Sequence, residues 1–564
     1  MIGYTKTNHN YDDKMVKLNL DFGLYNVDLK RVIKYLKQDL KDDWFRDPLE
    51  FNDRLDESVV VHYFEKNIQE NNGVYKPTPR ILLNIPKSNG ALRYSLETNI
   101  FDRIAYHAFG LTLIEYLDPF VSKRVFNHRK NFLESEKKYQ YVFLNSIIQW
   151  KKFEEFVRID AESKTILITD LQNFYEHINI DKLRNILYEL LLKLKTDGKV
   201  KAKIRFCIES ICNCLIEWGF NNEHGLMQNR DISSFLANIY LSPLDRLLDS
   251  KGLDYYRYMD DIKVVTTDRF EARKVLKLMI TKLRELDLSI NNSKTNILVP
   301  GTNDHNKFIS YDPLCLEQID VLLNTKKKPL VILAFAKIKT NIENLIKRGD
   351  FCSREFRFYL NRITRLGLCE DVELPPKYFS KIKKEVIKAL VDNPANTSEF
   401  YNLLISIKLT KNDMKKIADF LADTNCSIYS WQNYLLWKIL VYHNYKSRNL
   451  LKLANSIIIS NSAIIDKSAD KCGSLLYVGA FGTEENKKSL LKLKSLNDNF
   501  IIQRHLIIAL QSLKYQSIAG IKSLIKSENF GSYKYLHSLK QYSYTNQPVK
   551  TKLRDIFDEV SFYA

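Results

Sequence analysis

Two adjacent aspartates, Asp260 and Asp261, lie between two short β-like runs. These runs are Asp254–Arg257 and Ile262–Val265, so the doublet falls at the bend of a predicted β-hairpin. Adjacent residues on a straight strand point to opposite faces, whereas a bend lets both carboxylates approach one point. Nucleotide joining uses two divalent cations roughly 3.5–4 Å apart, which aspartates on a rigid turn commonly hold. The segment predicts metal-dependent nucleotidyl transfer, with Asp260 as direct ligand and Asp261 in support.

A third carboxylate, Asp170, ends the apolar run Thr165–Thr169 and precedes a helix-like segment. A buried strand needs no acid at its end, and the alternative role is a cap of the following turn. Carboxylates from neighbouring strands would repel one another, and divalent cations make such a cluster tolerable. We expect Asp170 to face Asp260 and, with Asp261, to hold two Mg²⁺ ions, with Mn²⁺ as the substitute ion.

The overall charge of the chain favours a polyanionic partner. The 564 residues include 86 Lys and Arg against 67 Asp and Glu, a formal net charge of +19. Nucleic acid is the obvious candidate. The alternative is that an AT-rich genome explains a Lys-, Asn- and Ile-rich composition.

The eight cysteines lack zinc-ligand spacing and predict reduced core thiols, and the absence of a signal core or membrane span predicts a cytoplasmic protein without membrane contact.

The pattern of elements predicts three regions. Residues 1–75 are predicted to form a mainly helical extension, and residues 76–305 alternate β-rich runs with amphipathic segments. Residues 306–564 are predicted to be all helical, because apolar residues recur at three- and four-residue spacing between polar turns. The segment Phe500–Leu510 looks like the inner helix of a HEAT-type pair, and a plain helical bundle is the alternative. The predicted fold class is α+β.

A basic hairpin and two further motifs accompany the aspartates. Lys87 and Arg93 flank a short turn at Asn89–Gly90, where they could grip a triphosphate; the alternative is a solvated basic hairpin. The other motifs are His224–Asn229, followed by a helical run, and Leu288–Thr295.

The ordered motifs resemble those of reverse transcriptases. The resemblance implies a right-hand polymerase core with fingers and palm, in which Tyr175 packs under the sugar and excludes a 2′-hydroxyl; a plain core aromatic is the alternative. It also implies that Gln228 lies under the template and the nascent base pair, and that Lys294 donates a proton to pyrophosphate, with a surface lysine as the alternative. The family has Pro-Gln-Gly where this chain has Met227-Gln228-Asn229, so we expect no ordinary glycine turn there.

The helical C-terminal half resembles that of abortive-infection and defence-associated reverse transcriptases. This resemblance implies antiphage activity, deoxynucleoside triphosphates as substrates, and a homo-oligomer. It also implies template-free DNA synthesis with the product attached to a tyrosine of the protein. A first rival is a conventional RNA-templated enzyme of the retron or group II intron kind, using a bound noncoding RNA. A second rival is a non-catalytic scaffold that binds through its helical domain.

Overall fold

The structure is a computed structural model, and it describes most of the chain. The described residues are 16–17, 26–72, 75–132, 141–159, 161–219, 221, 223–310, 316–372, 374, 377–460, 467–493, 499–513 and 542–554.

The N-terminal part contains two helices and a short strand pair. Its elements are β1 (Val16–Lys17), β2 (Asn26–Val27), α1 (Leu29–Asp39) and α2 (Glu57–Glu70). Asp28 begins α1 by accepting a hydrogen bond from the Arg31 N–H at 3.0 Å. The buried face of α1 packs against the helix α3 (Ile100–Leu117), which places this extension on the mixed α/β region.

The predicted basic hairpin is present. Strands β3 (Ile81–Pro86) and β4 (Leu92–Glu97) pair antiparallel, with Pro86 opposite Leu92. The intervening turn is closed by the Lys87 N–H, which donates to the Ala91 carbonyl at 2.6 Å. Gly90 has φ of +79°, a left-handed conformation that glycine adopts without steric cost.

The mixed region between this hairpin and residue 305 supplies a sheet and the helices that cover it. These elements are α3, α4 (Ser146–Arg158), β5 (Thr165–Thr169), α5 (Phe174–His177), α6 (Ile180–Lys193), α7 (Gly198–Trp218), α8 (Asp231–Ser250), β6 (Asp254–Tyr258), β7 (Asp261–Thr266), α9 (Arg269–Glu285) and β8 (Asn296–Leu298). The sheet is antiparallel in the order β6-β7-β5-β8.

Side chains alternate along each strand, so the sheet has two faces, and hydrophobic residues pack against both of them. Leu167 and Val264 point into the core formed with α8 and α9. Ile166 and Leu298 point the other way, into a smaller core with Phe153 of α4. The sheet is therefore held between helices, and its end is left free to carry a site.

All regular elements of the described chain beyond β8 are helices, which confirms the predicted α+β class with a helical C-terminal half. They are α10 (Asn303–Ser310), α11 (Glu317–Asn324), α12 (Lys328–Lys347), α13 (Arg354–Gly367), α14 (Lys377–Ala389), α15 (Thr397–Ser406), α16 (Lys411–Ala422), α17 (Ser430–Tyr442), α18 (Arg448–Ile459), α19 (Ser468–Phe481), α20 (Glu484–Leu490) and α21 (Phe500–Leu510). Among the described residues, no helix combines the length and the apolar character that crossing a bilayer requires.

The C-terminal helices pack in two series. Helices α13, α15, α17, α19 and α21 pack each against the next, and α12, α14, α16 and α18 form a second series. Residues 430–441 of α17 and 501–510 of α21 are buried on all sides, as expected for helices with neighbours on both flanks. The HEAT-type array stays a prediction.

The cysteines depart from the sequence prediction in part, because Cys352 and Cys426 are exposed rather than in the core.

The N-terminal extension is joined to the helical half by a buried ionic contact. The guanidinium of Arg504, on α21, donates to Asp47 at 2.9 Å and to Asp53 at 2.6 Å, and all three side chains are buried. Beside it, Phe45 stacks on Tyr434 with ring centroids 4.2 Å apart. The N-terminal region is therefore packed into the helical half, and the predicted boundaries at residues 75 and 305 remain predictions.

Replacing Arg504 should destabilise the protein strongly. Arg504→Met keeps most of the side-chain volume but leaves Asp47 and Asp53 buried without their partner, which costs about 3–5 kcal/mol. Urea unfolding would measure this loss. Arg448→Met, on the exposed first turn of α18, is the matched control. Equal unfolding midpoints for the two variants would contradict the role given to the ionic contact.

Candidate active site

The strand register places Asp170 beside Asp261. Thr169, the last residue of β5, pairs with Ile262 of β7. Continuing this antiparallel register by one residue sets Asp170 level with Asp261. Because Thr169 and Ile262 share one face of the sheet, the next residues on both strands share the opposite face. Two of the predicted carboxylates thus lie side by side.

Lys294 also reaches Asp170. It ends a short 3-10 helix, Asn292–Lys294, that precedes β8. The ammonium of Lys294 donates to Asp170 Oδ2 at 2.8 Å. The Lys294 ammonium and the carboxylates of Asp170 and Asp261 therefore lie together at this end of the sheet, and we call them the acidic row.

Asp260 joins this row from the β6–β7 turn. Tyr258 and Asp261 are the last pair of the hairpin, so Met259 and Asp260 alone form its bend. Met259 has φ of +60°, in the left-handed region that a non-glycine residue adopts only when its surroundings hold it there. The bend turns the Asp260 carboxylate towards Asp170 and Asp261.

Two supporting residues were missed by the sequence analysis. Arg257 is fully buried; it donates to the Met259 carbonyl at 2.9 Å and forms a two-point ion pair with Asp245 at 3.0 and 2.6 Å. Asn291 donates from Nδ2 to Asp170 Oδ1 at 3.2 Å. An arginine among three tyrosines in the strand Asp254–Tyr258 was the available signal for Arg257.

The three carboxylates repel one another. Burial, followed by the charges of Asp261 and Asp170, raises the pKa of Asp260 to about 7. Desolvation and the charge of Asp170 also raise the pKa of Asp261. Burial opposes charge on Lys294, but its hydrogen bond to Asp170 outweighs this and its pKa is raised. The site thus concentrates negative charge that one ammonium offsets only in part.

A pair of divalent cations fits the chemistry of this donor set. Hard oxygen ligands suit Mg²⁺, and its charge would counter both the burial and the repulsion that raise the pKa of Asp260 to about 7. Within the described residues, no three acidic, histidine or cysteine side chains are already closed around one point. Asp170, Asp260 and Asp261 are the residues that would hold the ions.

Tyr175 lies directly against the turn. Its hydroxyl is 2.9 Å from Ser234 Oγ and 3.4 Å from the sulfur of Met259. Burial, only partly opposed by the hydrogen bond to Ser234, raises its pKa well above the ordinary value. The phenol therefore stays neutral, and its ring forms a fixed wall beside Asp260.

The two cations of the finger hairpin occupy different surroundings. Lys87 is half-buried at the start of the turn, whereas Arg93 is open to solvent on β4. The Arg93 guanidinium lies over the Trp44 ring at 5.6 Å. The Asp260 carboxylate acts electrostatically on Arg93, which places the hairpin on the same side of the molecule as the acidic row.

The segment Met227–Asn229 makes its turn without glycine. Asn229 has φ of +57°, so it supplies the left-handed turn that the family takes from glycine. Asparagine tolerates this conformation better than most residues, and its side chain donates to the Asp42 carbonyl. Gln228 is half-buried just before this turn. The departure from glycine does not remove the turn.

Arg230 fixes the same segment from the other side. This buried arginine donates to Asp43 and to Glu97, both at 2.8 Å. Asp43 also pairs with the buried Arg103 of α3. The N-terminal extension thus holds the turn that carries Gln228, a role that the sequence motifs did not indicate.

Part of the chain is similar in sequence to known proteins. Residues 85–335 match the family model described as reverse transcriptase (RNA-dependent DNA polymerase). The retron Ec48 reverse transcriptase of Escherichia coli is 23% identical over 304 residues, covering 51% of this chain and 64% of that protein. The retron Se72 reverse transcriptase of Salmonella heidelberg (strain 579083-10) is 25% identical over 162 residues, covering 28% and 39%. The chain thus spans less than two thirds of each relative.

Among solved structures, the chain is similar to telomerase from Candida albicans, determined with a TWJ fragment of telomeric RNA. The two share 12% identity, with 89% of this chain and 75% of that chain covered. The TM-score of 0.29 is too low to indicate a common overall architecture.

The raised pKa of Asp260 predicts a pH dependence of stability in metal-free protein. Between its unfolded pKa near 4 and its folded pKa of about 7, the folded state binds more protons, so stability falls as pH rises through this window. Asp260→Asn removes this loss. Relative to Asp260→Asn, the free energy of unfolding of the wild type should fall by on the order of 1–4 kcal/mol between pH 4 and pH 8.

Urea unfolding in EDTA at both pH values would measure the difference. Asp392→Asn, which changes an exposed carboxylate in the helical half, is the control and should follow the wild type. A stability difference between wild type and Asp260→Asn that is the same at both pH values would refute the prediction. Adding Mg²⁺ at pH 8 should restore stability to the wild type more than to the variant.

Proposed function

We propose that the protein is a metal-dependent DNA polymerase that copies an RNA template, because residues 85–335 match the reverse transcriptase family model and the chain is similar to two retron reverse transcriptases. The observation that carries the proposal is the row of Lys294, Asp170 and Asp261 at the sheet end, completed by Asp260. The net charge of +19 suits a nucleic acid partner.

In this proposal, each residue has a defined task. Asp170, Asp260 and Asp261 hold two Mg²⁺ ions, which when bound activate the attacking hydroxyl and stabilise the leaving pyrophosphate. Lys294, kept protonated beside Asp170, donates a proton to the pyrophosphate. Lys87 and Arg93 grip the triphosphate of the incoming deoxynucleotide.

RNA-templated synthesis is preferred over template-free synthesis for two reasons. The left-handed Asn229 keeps the turn beside Gln228 on which a template would lie. The matched family and both relatives are named as reverse transcriptases, the family as RNA-dependent. The template would be a bound noncoding RNA. Template-free synthesis on a tyrosine, homo-oligomer formation and an antiphage role rest on the resemblance of the helical half alone.

Purified protein incubated with Mg²⁺ and labelled deoxynucleotides should incorporate label into DNA. Asp260→Asn and Asp170→Asn should each reduce this incorporation at least about a thousandfold, because the metal-dependent step loses a ligand. Asp392→Asn, with the same change of charge, should retain activity. Equal incorporation by Asp260→Asn and wild type would refute the assignment of the site.

Nuclease treatment before the assay separates the modes of synthesis. Loss of product, restored by the RNA that copurifies, supports the template proposal. Label that migrates with the polypeptide after nuclease treatment would instead establish template-free, protein-primed synthesis. If the Asp260→Ala variant still protected cells fully against phage, the hypothesis of a non-catalytic scaffold would be favoured.

Tyr175 should control discrimination against ribonucleotides. In Tyr175→Val the space beneath the sugar opens, so the ratio of kcat/KM for deoxynucleotides over ribonucleotides should fall about tenfold or more. Tyr175→Phe is the matched control, because it keeps the ring and loses only the contacts with Ser234 and Met259. Unchanged sugar discrimination in Tyr175→Val would show that the ring is only a core residue.

A further inference from the structure

Helix α14, in the second series of C-terminal helices, presents a stripe of lysines to solvent. Lys377, Lys381, Lys384 and Lys388 are all exposed, and they follow one another at spacings of four, three and four residues. This spacing keeps the four side chains on one face of an α-helix, over a rise of about 17 Å. The opposite face of α14 is buried, as at Ile382. We call these four residues the lysine stripe.

The neighbouring helices extend the basic surface. Helix α12 packs on α14, α14 packs on α16, and α16 packs on α18, so the four helices form one layer. The exposed charged residues of α12 are Lys328, Lys337 and Lys347, and those of α18 are Arg448 and Lys452. All of these residues are basic, so the positive charge continues on both sides of the lysine stripe.

Acidic residues do not balance this charge. Asp419 of α16 is the one exposed acid among the described residues of the four helices, and it pairs with Lys415 at 2.7 Å. Glu343, Glu385 and Asp413 are half-buried, and each pairs with a lysine, at 3.3, 3.5 and 2.7 Å respectively. The four helices together carry 14 Lys and Arg against four Asp and Glu, so these pairs reduce the positive charge of the layer without cancelling it.

A basic composition alone does not produce this distribution. The whole chain has 86 Lys and Arg against 67 Asp and Glu, so acidic residues would be expected on these helices almost as often as basic ones. Like charges at three- and four-residue spacing also destabilise a helix. A polyanion removes this repulsion and gains affinity through the release of its counterions.

We propose that the exposed face of α12, α14, α16 and α18 binds the phosphate backbone of a noncoding RNA that the protein carries. This inference rests on the proposed function, which gives the protein a bound RNA template. Retaining an RNA requires contacts that do not depend on the sequence being copied, and lysine contacts with the backbone supply them. The helical half would then hold the RNA while the acidic row acts on the growing DNA.

RNA binding by a variant of the lysine stripe tests this inference. The probe is a labelled hairpin RNA, added to nuclease-treated full-length protein at several salt concentrations. Changing all four stripe lysines to Gln should weaken binding at least about tenfold at low salt and reduce the slope of log K against log salt by about 3, because four phosphate contacts are lost. Changing the same four residues to Arg should keep the affinity, since the charge is retained.

A second variant with the same loss of charge is the control. It changes four exposed lysines outside the helical half to Gln: Lys193, Lys195, Lys199 and Lys251. This control should bind the hairpin RNA nearly as well as the wild type does. Equal losses of affinity in the two Gln variants would show that only net charge matters, which overturns the inference. Without RNA, the stripe variant should unfold at the wild-type temperature, because the four lysines are exposed.

Two further probes distinguish other polyanions. If the stripe variant loses affinity for single-stranded DNA but not for the hairpin RNA, the surface holds the DNA product and the RNA assignment is overturned. If it loses affinity only for vesicles that contain phosphatidylserine, the surface contacts a membrane and the inference is equally overturned.

DNA synthesis on a short added RNA template with a DNA primer separates this inference from the proposed function. The stripe variant should extend the primer as the wild type does, because the acidic row is unchanged. If the wild type extends the primer and the stripe variant binds the hairpin RNA normally, the inference fails and the polymerase proposal stands. If the wild type makes no DNA while the stripe variant loses RNA affinity, the polymerase proposal fails and the RNA-binding surface stands.

Discussion

The pairing register of β5 with its two neighbours is the constraint on which the site depends. Side chains along a strand alternate between faces, so a shift of one residue would send Asp170 to the face opposite Asp261. The register is fixed because both faces of β5 are buried, with Leu167 on one side and Ile166 on the other. Hydrophobic packing of the strand thus sets the position of a carboxylate that itself contributes nothing to the core.

The cost of this arrangement is electrostatic, and the surroundings of the turn offset it. Asp260 is buried near two other carboxylates, and burial followed by their charges raises its pKa. The bend cannot relax away, because the buried Arg257 holds the Met259 carbonyl and is anchored by Asp245. A rigid support beneath a repelling cluster keeps the carboxylates together rather than spread into solvent.

The fold class and the closeness of the three aspartates could be predicted from the sequence, because those signals are local. Asp260 and Asp261 sit in a hairpin pattern, and Asp170 ends an apolar run, so strand periodicity was sufficient. The sequence predicted that no ordinary glycine turn is present after Gln228, but it did not indicate that Asn229 adopts φ of +57° and is held by Asp42. The contacts of Arg504 and Arg230 were unpredictable, since their partners lie far away in the chain.

The segment between residues 39 and 53 links these distant parts. Asp43 binds Arg230 and Arg103 on the palm side, while Asp47 and Asp53 bind Arg504 on the side of the helical half. Such buried pairs tolerate little movement, because separating either partner leaves an uncompensated charge in the interior.

The same segment carries Trp44, over which Arg93 lies. The position of Arg93 relative to Asp260 is therefore set by the C-terminal helices as well as by the hairpin that bears it. A helical half that was joined to the rest of the protein only through the chain would not make this contact with Trp44. Because Trp431 holds the Trp44 carbonyl and Arg93 lies over the Trp44 ring, the helical half helps to position a cation of the candidate site and is not merely appended to it.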